Sequence, residues 1–253
     1  MTKTIPKVHI FGIPFSKMGM KDTVQYLTDR INAREQTHVI TANPIMIMSA
    51  LEKPTYKEMM LKSDLIVPDG AGVVWAAQKG GDPVAERVTG IELLHELLKV
   101  GESHHWKVYL LGTTQEIIEA AAQSLQMQYP QVRIVGYRNG FFGADEDDEV
   151  VASIAELKPD LLFVARGAET QEPWIVKHRE KLGVPLIMGV GGSFDVISGK
   201  LKRAPEWIQK LRIEWLFRLL QEPKRLPRML VLPKFMLKVM RNKENVTKHI
   251  ENS

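Results

Sequence analysis

The chain has 253 residues, of which 44% are hydrophobic and none is cysteine. This composition supports one large domain, or a domain with an appendage, and it excludes disulfide bonds, thiolate metal sites and a cysteine nucleophile. The charge is uneven: residues 200–253 carry fourteen Lys and Arg against five Glu, a net charge of about +9, so the whole-chain charge of +4 leaves about −5 for residues 1–199.

Residues 1–199 alternate between short apolar runs and longer segments of helical periodicity, which is typical of a parallel sheet with crossover helices. We therefore predict an α/β body with a Rossmann-like, doubly wound, mostly parallel sheet at residues 1–199, and a helical, basic C-terminal appendage at residues 200–253. In chain order the predicted elements are helix 21–34, strand 38–41, helix 45–51, strand 65–68, helix 90–101, strand 107–111, helix 114–129, strand 133–137, helix 145–157, strand 161–165, helix 173–181 and strand 186–190.

Polar residues directly follow four of the predicted strands. They lie at positions 41–43, at Asp69, at positions 167–172 and at positions 191–195. Because ligands of open α/β sheets bind outside the carboxyl ends of the strands, we expect these positions to share one site.

Asp69 is the first candidate for chemistry at this edge. An aspartate followed by Gly70 and Gly72 can act as a general base with room for a substrate, or equally as the cap of the next helix. The glycine-rich turn at 189–192 can bring backbone amides close to a nucleotide diphosphate. It lacks the lysine of a P-loop and the GxGxxG spacing of a dinucleotide site.

The basic appendage is also apolar, with Trp207, Trp215 and Phe217 ahead of a Met-rich run at 229–240. Lys and Arg are attracted to anionic head groups while Trp, Leu and Met enter the acyl boundary, so this segment fits a membrane surface. The alternative is a helix pair that packs on the core and exposes a charged face. No segment has the roughly 18 uncharged apolar residues of a spanning helix, and residues 1–15 lack the apolar core of a signal peptide.

Four appendage arginines, Arg203, Arg218, Arg225 and Arg228, lie in a helical region. Guanidinium groups are the usual partners of diphosphate oxygens. The alternative for Arg218 is an i,i+4 ion pair with Glu214.

The sequence predicts no metal site. Its seven His are scattered, and the acidic run at 145–149 is typical of the first turn of a helix rather than of a cation site. We therefore expect a protein that works without a metal or another cofactor.

The residues alone suggest two other functions. A nucleotide-dependent oxidoreductase on the same fold would need a GxGxxG turn, which is missing. A non-enzymatic module that binds membrane or nucleic acid through the basic appendage would not need Asp69 or four polar strand ends, although the charge of the appendage alone does not exclude it.

Seven segments together resemble the WecG/TagA/CpsF family of bacterial glycosyltransferases along nearly the whole chain. They are, in order, TANP, VPDGAGVVW, ERVTG, RNGFFG, TQEPWI, GVGGSFDVISGKLKRAPEW and IEWLFRLLQEPKRLPR, of which the last two are highly specific. The resemblance implies an inverting hexosyltransferase that moves N-acetylmannosamine from UDP-ManNAc to undecaprenyl-diphosphate-linked GlcNAc, with a β-1,4 linkage, in wall teichoic acid linkage-unit synthesis. The alternative is a relative that uses N-acetylmannosaminuronate or another donor for a different surface polysaccharide.

The resemblance also implies roles for individual residues. Asp69 matches the catalytic base, Thr41 and Asn43 match polar residues beside it, and Arg87 and Gln171 match positions that contact sugar or acceptor. The substrate-binding set comprises Asn43, Gly191, Gly192, the uracil-side Asp195, Arg203, and the three arginines that close over the site, Arg218, Arg225 and Arg228.

The implied partners are the UDP-sugar donor, the undecaprenyl-diphosphate acceptor and the inner face of the cytoplasmic membrane, where the protein would be peripheral. No nucleic-acid partner is expected, and the sequence leaves the formation of a homo-oligomer open. Two positions depart from the family, which often has Tyr at Phe141 and Pro at Glu169. A phenylalanine cannot make the hydroxyl hydrogen bond that a tyrosine would offer the nucleotide.

Overall fold

The computed structural model describes residues 5–167, 169–211 and 213–247, with the backbone alone at Glu206 and Lys210. The strands are β1 (Lys7–Ile10), β2 (Ile13–Ser16), β3 (Thr37–Ala42), β4 (Leu65–Pro68), β5 (Lys107–Gly112), β6 (Arg133–Arg138), β7 (Leu161–Ala165) and β8 (Leu186–Gly189). The helices of the body are α1 (Met20–Asn32), α2 (Pro44–Glu52), α3 (Pro54–Leu61), α4 (Ala71–Lys79), α5 (Gly90–His104), α6 (Gln115–Gln128), α7 (Asp147–Leu157), α8 (Gln171–Leu182) and α9 (Ser193–Ile197). Those of the C-terminal region are α10 (Glu206–Lys210), α11 (Glu214–Gln221), α12 (Leu226–Met229) and α13 (Val231–Arg241), with short 3-10 turns at Pro223–Arg225 and Lys243–Asn245.

The centre of the molecule is a six-stranded parallel sheet with the strand order β4-β3-β8-β7-β5-β6. Both faces of the sheet are covered by helices, which is why its strands are nearly continuous apolar runs such as LLFVA in β7. The predicted α/β fold is confirmed. Each predicted strand and helix is present, and its ends lie within three residues of the prediction.

The helices form one layer on each face. Leu27 of α1, Leu97 of α5, Ile118 of α6 and Phe194 of α9 are fully buried against one face. On the other face, α2, α3 and α4 pack over β3 and β4, and α7 and α8 pack over β5, β7 and β8. The sheet is thus the middle of a three-layer sandwich, and its carboxyl edge is left for a ligand.

Several elements were not predicted from the sequence. The antiparallel hairpin β1-β2 turns at Phe11 and Gly12, whose φ values of 51° and 79° are those of a type I′ turn without its usual Asn-Gly signal. Helix α4 begins among glycines, which weaken its helical signal, and α3 follows α2 after a single residue, with Pro54 at its first position.

The end of the C-terminal region packs into the core of the body. Phe235 and Val239 of α13 are buried against α2 and α4, and Val246 is buried in the same cluster. The Phe11 N–H donates to the Val246 carbonyl at 2.9 Å, and the Thr247 hydroxyl donates to the Gly80 carbonyl at 2.6 Å. The core-packing alternative therefore describes the buried face of α13 and the segment around Val246.

Candidate active site

The site lies where β3 and β8 run side by side and their connections leave in opposite directions. After β3 the chain enters α2 on one face of the sheet, and after β8 it enters α9 on the other face. Such a switch point opens a crevice at the carboxyl edge of a parallel sheet. A cavity of about 450 Å³ occupies this crevice and extends under α11 and α12.

The structure brings the predicted site residues together, although they are spread over nearly 190 positions of the chain. All but one of them line the cavity; these are Thr41, Asn43, Asp69, Gln171, Gly191, Gly192, Asp195, Arg203, Arg218, Arg225 and Arg228. The exception is Arg87, which lies behind the lining and forms an ion pair with Glu214, a residue that does line the cavity.

Thr41 and Asn43 are held at the end of β3 by hydrogen bonds to the backbone. The Thr41 hydroxyl donates to the Gly189 carbonyl of β8 at 3.0 Å. The Asn43 side-chain oxygen caps α2 by accepting from the amides of Ile45 and Met46, which leaves its amide nitrogen as the group that can serve a ligand. Both side chains are therefore fixed before any ligand binds.

Asp69 stands in the cavity, while the cap position of α4 belongs to Gly70. The helix-cap alternative is therefore wrong. Burial raises the pKa of Asp69 from 3.8 to about 6, and the charges of Glu214 and Glu92 act in the same direction. The Arg87 guanidinium and the Gly90 amide oppose this rise. The result is a carboxylate that is ionised at neutral pH and is a stronger base than a free aspartate.

Gln171 is buried and uses both ends of its amide within the protein. Its nitrogen donates to Glu172 at 2.6 Å, and its oxygen accepts from the Gly191 amide at 3.1 Å. Glu172 is itself only 1% exposed and meets His38 Nε2 at 2.7 Å. Gln171 thus positions the loop after β8, and a direct contact with substrate stays a prediction.

The loop requires glycine at positions 191 and 192 for two different structural reasons. Gly191 has φ of 51°, in the left-handed region that glycine adopts without strain. At Gly192 a Cβ would overlap the Arg218 guanidinium, which donates to the Gly192 carbonyl at 3.1 Å. Asp195 follows in the first turn of α9 and close to Arg218, whose pKa is lowered chiefly by burial and is raised by the Asp195 charge.

Two of the appendage arginines are held by a carboxylate that the sequence did not single out. Arg225 lies 2.7 Å from Glu222, and Arg218 lies 3.6 Å from the same oxygen. The expected alternative for Arg218, an ion pair with Glu214, is wrong because Glu214 pairs with Arg87 at 2.6 Å. No local pattern could reveal that pair, since its members are 127 positions apart.

Arg166 is a further cavity residue that the sequence analysis missed. It directly follows β7 and precedes the loop 167–172 by one position. The expectation that polar residues after a strand line the site therefore applies to Arg166 as well. Its guanidinium stacks on Phe142 at 4.2 Å and donates to the Phe142 carbonyl at 3.3 Å. Cationic side chains around the cavity therefore outnumber the carboxylates; they are Arg166, Lys202, Arg203, Arg218, Arg225 and Arg228, against Asp69, Asp195 and Glu214.

The two positions that depart from the resemblance lie at or beyond the rim. Phe141 is 77% exposed and is not part of the cavity lining. Glu169 is exposed and pairs with Lys53 at 2.7 Å. Within residues 5–167, 169–211 and 213–247, no three His, Asp or Glu side chains cluster closely enough to hold a metal ion. Independence of metal stays a prediction.

Ten large apolar side chains of the appendage are exposed, and we call them together the docking surface. It consists of Trp207, Leu211, Trp215, Leu216, Leu220, Leu226, Leu230, Met236, Leu237 and Met240. Helices α11 and α12 carry part of this surface and also supply Phe217, Arg218 and Met229 to the cavity. None of the helices in the described chain is both long and apolar enough to cross a membrane.

Comparison with known proteins shows similarity along nearly the whole chain. Residues 8–249 match the sequence model of the family described as "Glycosyl transferase WecG/TagA/CpsF family". Proteins from Staphylococcus aureus strains MW2, NCTC 8325 / PS 47 and COL are each 38% identical over 245 residues, covering 96% of this chain and 95% of the relative. Each is named N-acetylglucosaminyldiphosphoundecaprenol N-acetyl-beta-D-mannosaminyltransferase.

Proposed function

The chain belongs to the WecG/TagA/CpsF family of glycosyl transferases, and we propose that it transfers N-acetylmannosamine from UDP-ManNAc to undecaprenyl-diphosphate-linked GlcNAc. The product would carry a β-1,4 linkage and would serve as the linkage unit of wall teichoic acid. The observation that carries the proposal is a carboxylate of raised pKa, Asp69, at the floor of a cavity surrounded by arginines. This arrangement suits a sugar transfer in which a diphosphate is the leaving group.

The proposed reaction is a single displacement. Asp69 removes the proton from the 4-hydroxyl of the acceptor GlcNAc, and that oxygen attacks the anomeric carbon of the donor. The bond between the anomeric carbon and the distal phosphate oxygen breaks, and UDP leaves with both electrons. Attack from the face opposite the leaving group inverts the anomeric centre.

The charge on the leaving UDP would be stabilised by the protein itself. Arg218, Arg225 and Arg228 line the cavity beside the amide of Gly192, and such donors stabilise phosphate oxygens in a partly desolvated site. We therefore propose a reaction that needs no metal. Turnover should be the same in EDTA as in Mg²⁺ or Mn²⁺, and activity that vanishes in EDTA and returns with either ion would contradict this step.

The docking surface supports a peripheral location on the inner face of the cytoplasmic membrane. Exposed Trp, Leu and Met can enter the acyl boundary, and the net charge of about +9 on residues 200–253 attracts anionic head groups. The lipid part of the acceptor would then lie in the bilayer, with its diphosphate below α11 and α12. No nucleic-acid partner is proposed.

A charge reversal tests the membrane step. The double variant Lys234→Glu and Lys238→Glu on α13 should lower affinity for vesicles that contain phosphatidylglycerol by about tenfold or more, because each basic residue near such a surface contributes on the order of 1 kcal/mol. Turnover of a short, soluble acceptor should stay unchanged. Lys99→Glu with Lys158→Glu, two exposed body lysines, is the matched control and should bind vesicles normally.

The activity itself is tested with a soluble GlcNAc diphosphate lipid of short chain. UDP-ManNAc should give a disaccharide product of the expected mass with a β-1,4 linkage by NMR, together with one UDP per product. UDP-GlcNAc and UDP-N-acetylmannosaminuronate serve as competing donors. A preference for either of them would overturn the donor assignment, and failure of all three would overturn the proposed reaction.

A further inference from the structure

In the part of the chain that the structure describes, two ion pairs join the appendage to the body near Asp69. Arg87 of the body lies 2.6 Å from Glu214 of α11, and Glu92 of α5 lies 2.5 Å from Arg203 of the appendage. In the first pair the body supplies the cation, and in the second it supplies the anion. In both pairs the appendage supplies the opposite charge. Arg87, Glu92 and Glu214 are also the charged side chains that act on Asp69.

Two carboxylates, Asp69 and Glu214, interact with the charge of Arg87. Among the described residues, Arg87 forms an ion pair with Glu214 and not with Asp69. Its charge acts on Asp69, and its guanidinium contacts Glu214. Arg87 is mostly buried, so it needs a carboxylate partner to offset its desolvation. Glu92 is already paired with Arg203 and with the Thr89 hydroxyl, which leaves Asp69 as the partner that Arg87 would take if Glu214 were absent.

An Arg87 pair with Asp69 would hinder the reaction in two ways. The guanidinium would occupy the carboxylate oxygens that must face the acceptor hydroxyl, and it would weaken Asp69 as a base. The Glu214 carboxylate prevents both effects, and it can do so only while α11 covers the cavity.

We propose that Glu214 is a positioning residue that holds Arg87 away from Asp69, so that the base is competent only when the appendage covers the site. The proposal rests on the proposed function of Asp69 as the base of the transfer. It explains why the appendage contributes a carboxylate to a cavity that otherwise gathers cations for an anionic donor. It also makes base strength depend on the position of α11.

The test is the pH dependence of transfer by full-length Glu214→Gln, measured with UDP-ManNAc and the soluble acceptor. Removal of the Glu214 charge leaves Arg87 free to act on Asp69, so the acid limb of kcat/KM should move to lower pH. The kcat at pH 8 should fall by about tenfold, because Arg87 would then occupy the Asp69 oxygens that must face the acceptor hydroxyl. Glu214→Asp keeps the charge and should restore the position of the limb. Glu244→Gln, an exposed appendage glutamate outside the cavity, should match the wild type in both readouts.

A double variant separates positioning from a merely structural role. Arg87→Gln alone should move the acid limb to higher pH, and Arg87→Gln with Glu214→Gln should bring it back toward the wild-type position because both opposing charges are gone. If Glu214→Gln left the acid limb unmoved while the wild type still transferred the sugar, the proposal would be overturned and the proposed function would stand. Absence of transfer by the wild type would overturn the function instead.

Discussion

The floor and the cover of the cavity are attached to the molecule in different ways. The floor consists of Thr41, Asp69, Gln171 and Gly191, which lie at the carboxyl edge of the sheet and are held by hydrogen bonds to the backbone and to buried side chains. Among its described residues, the cover (201–229) contacts the body through partly exposed ion pairs and through hydrogen bonds from Arg218 to the Gly192 carbonyl and from the Leu201 amide to the Asp195 carbonyl. Partly exposed ion pairs contribute little and weaken in salt, so the cover can be displaced under conditions that leave the floor intact.

Beyond the cover the chain returns to the body. Phe235, Val239 and Val246 are buried in the core that also contains the β1-β2 hairpin. The cover is therefore a segment held at both ends, between α9 and α13, rather than a free tail. This arrangement lets residues 201–229 shift without loss of the arginines from the neighbourhood of the site.

The largest expected effect on turnover is at the floor. Asp69→Asn should lower kcat by about 10² or more, the usual loss when a general base is removed, while UDP binding stays close to the wild type. Product formation and UDP titration measure the two quantities separately. The variant should not be less stable at pH 8, because it removes a charge whose burial opposes folding above pH 6. Near-normal turnover would remove Asp69 from the mechanism.

The next prediction concerns the stability of α13, which anchors the cover to the body. Phe235→Ala should lower the free energy of unfolding by about 3–5 kcal/mol, because a large, fully buried side chain leaves a cavity in the core. Met236→Ala, at an exposed position one residue later, should change it by less than about 1 kcal/mol. Urea denaturation measures both. Equal, small effects would mean that α13 is not anchored as described.

The cover itself should give the smallest of these effects. Arg225→Ala should lower kcat/KM for the soluble acceptor by about tenfold or more, since one guanidinium contact with a diphosphate is lost. The free energy of unfolding should be nearly unchanged, because Arg225 contacts the partly exposed Glu222. Arg241→Ala, outside the cavity on α13, is the matched control. Full activity of Arg225→Ala would exclude this side chain from the site.

The floor was predictable from the sequence because it follows from strand order. Apolar runs reveal the strands of a parallel sheet, and the polar residue after each run must lie at the carboxyl edge, which places Thr41, Asp69 and Gln171 together. The motif resemblance added the placement of Arg218, Arg225 and Arg228 over the site.

The charge pairs were not predictable, because they are decided by tertiary contacts. Glu214 has Arg218 one turn away on its own helix, yet it pairs with Arg87 from a distant loop. Likewise, the apolar residues of α13 are typical of a membrane-facing helix, and only packing shows that Phe235 and Val239 face the core while Met236 and Met240 face outward.

The central claim is that a desolvated Asp69 carboxylate acts as the base, and the pH profile of wild-type kcat/KM tests it most directly. The pKa of Asp69 is raised to about 6, and only the ionised form can accept a proton, so activity should be lost as the pH falls through about 6. The profile should be level from about pH 7 to 8. A profile that stays level down to pH 5 would contradict the account.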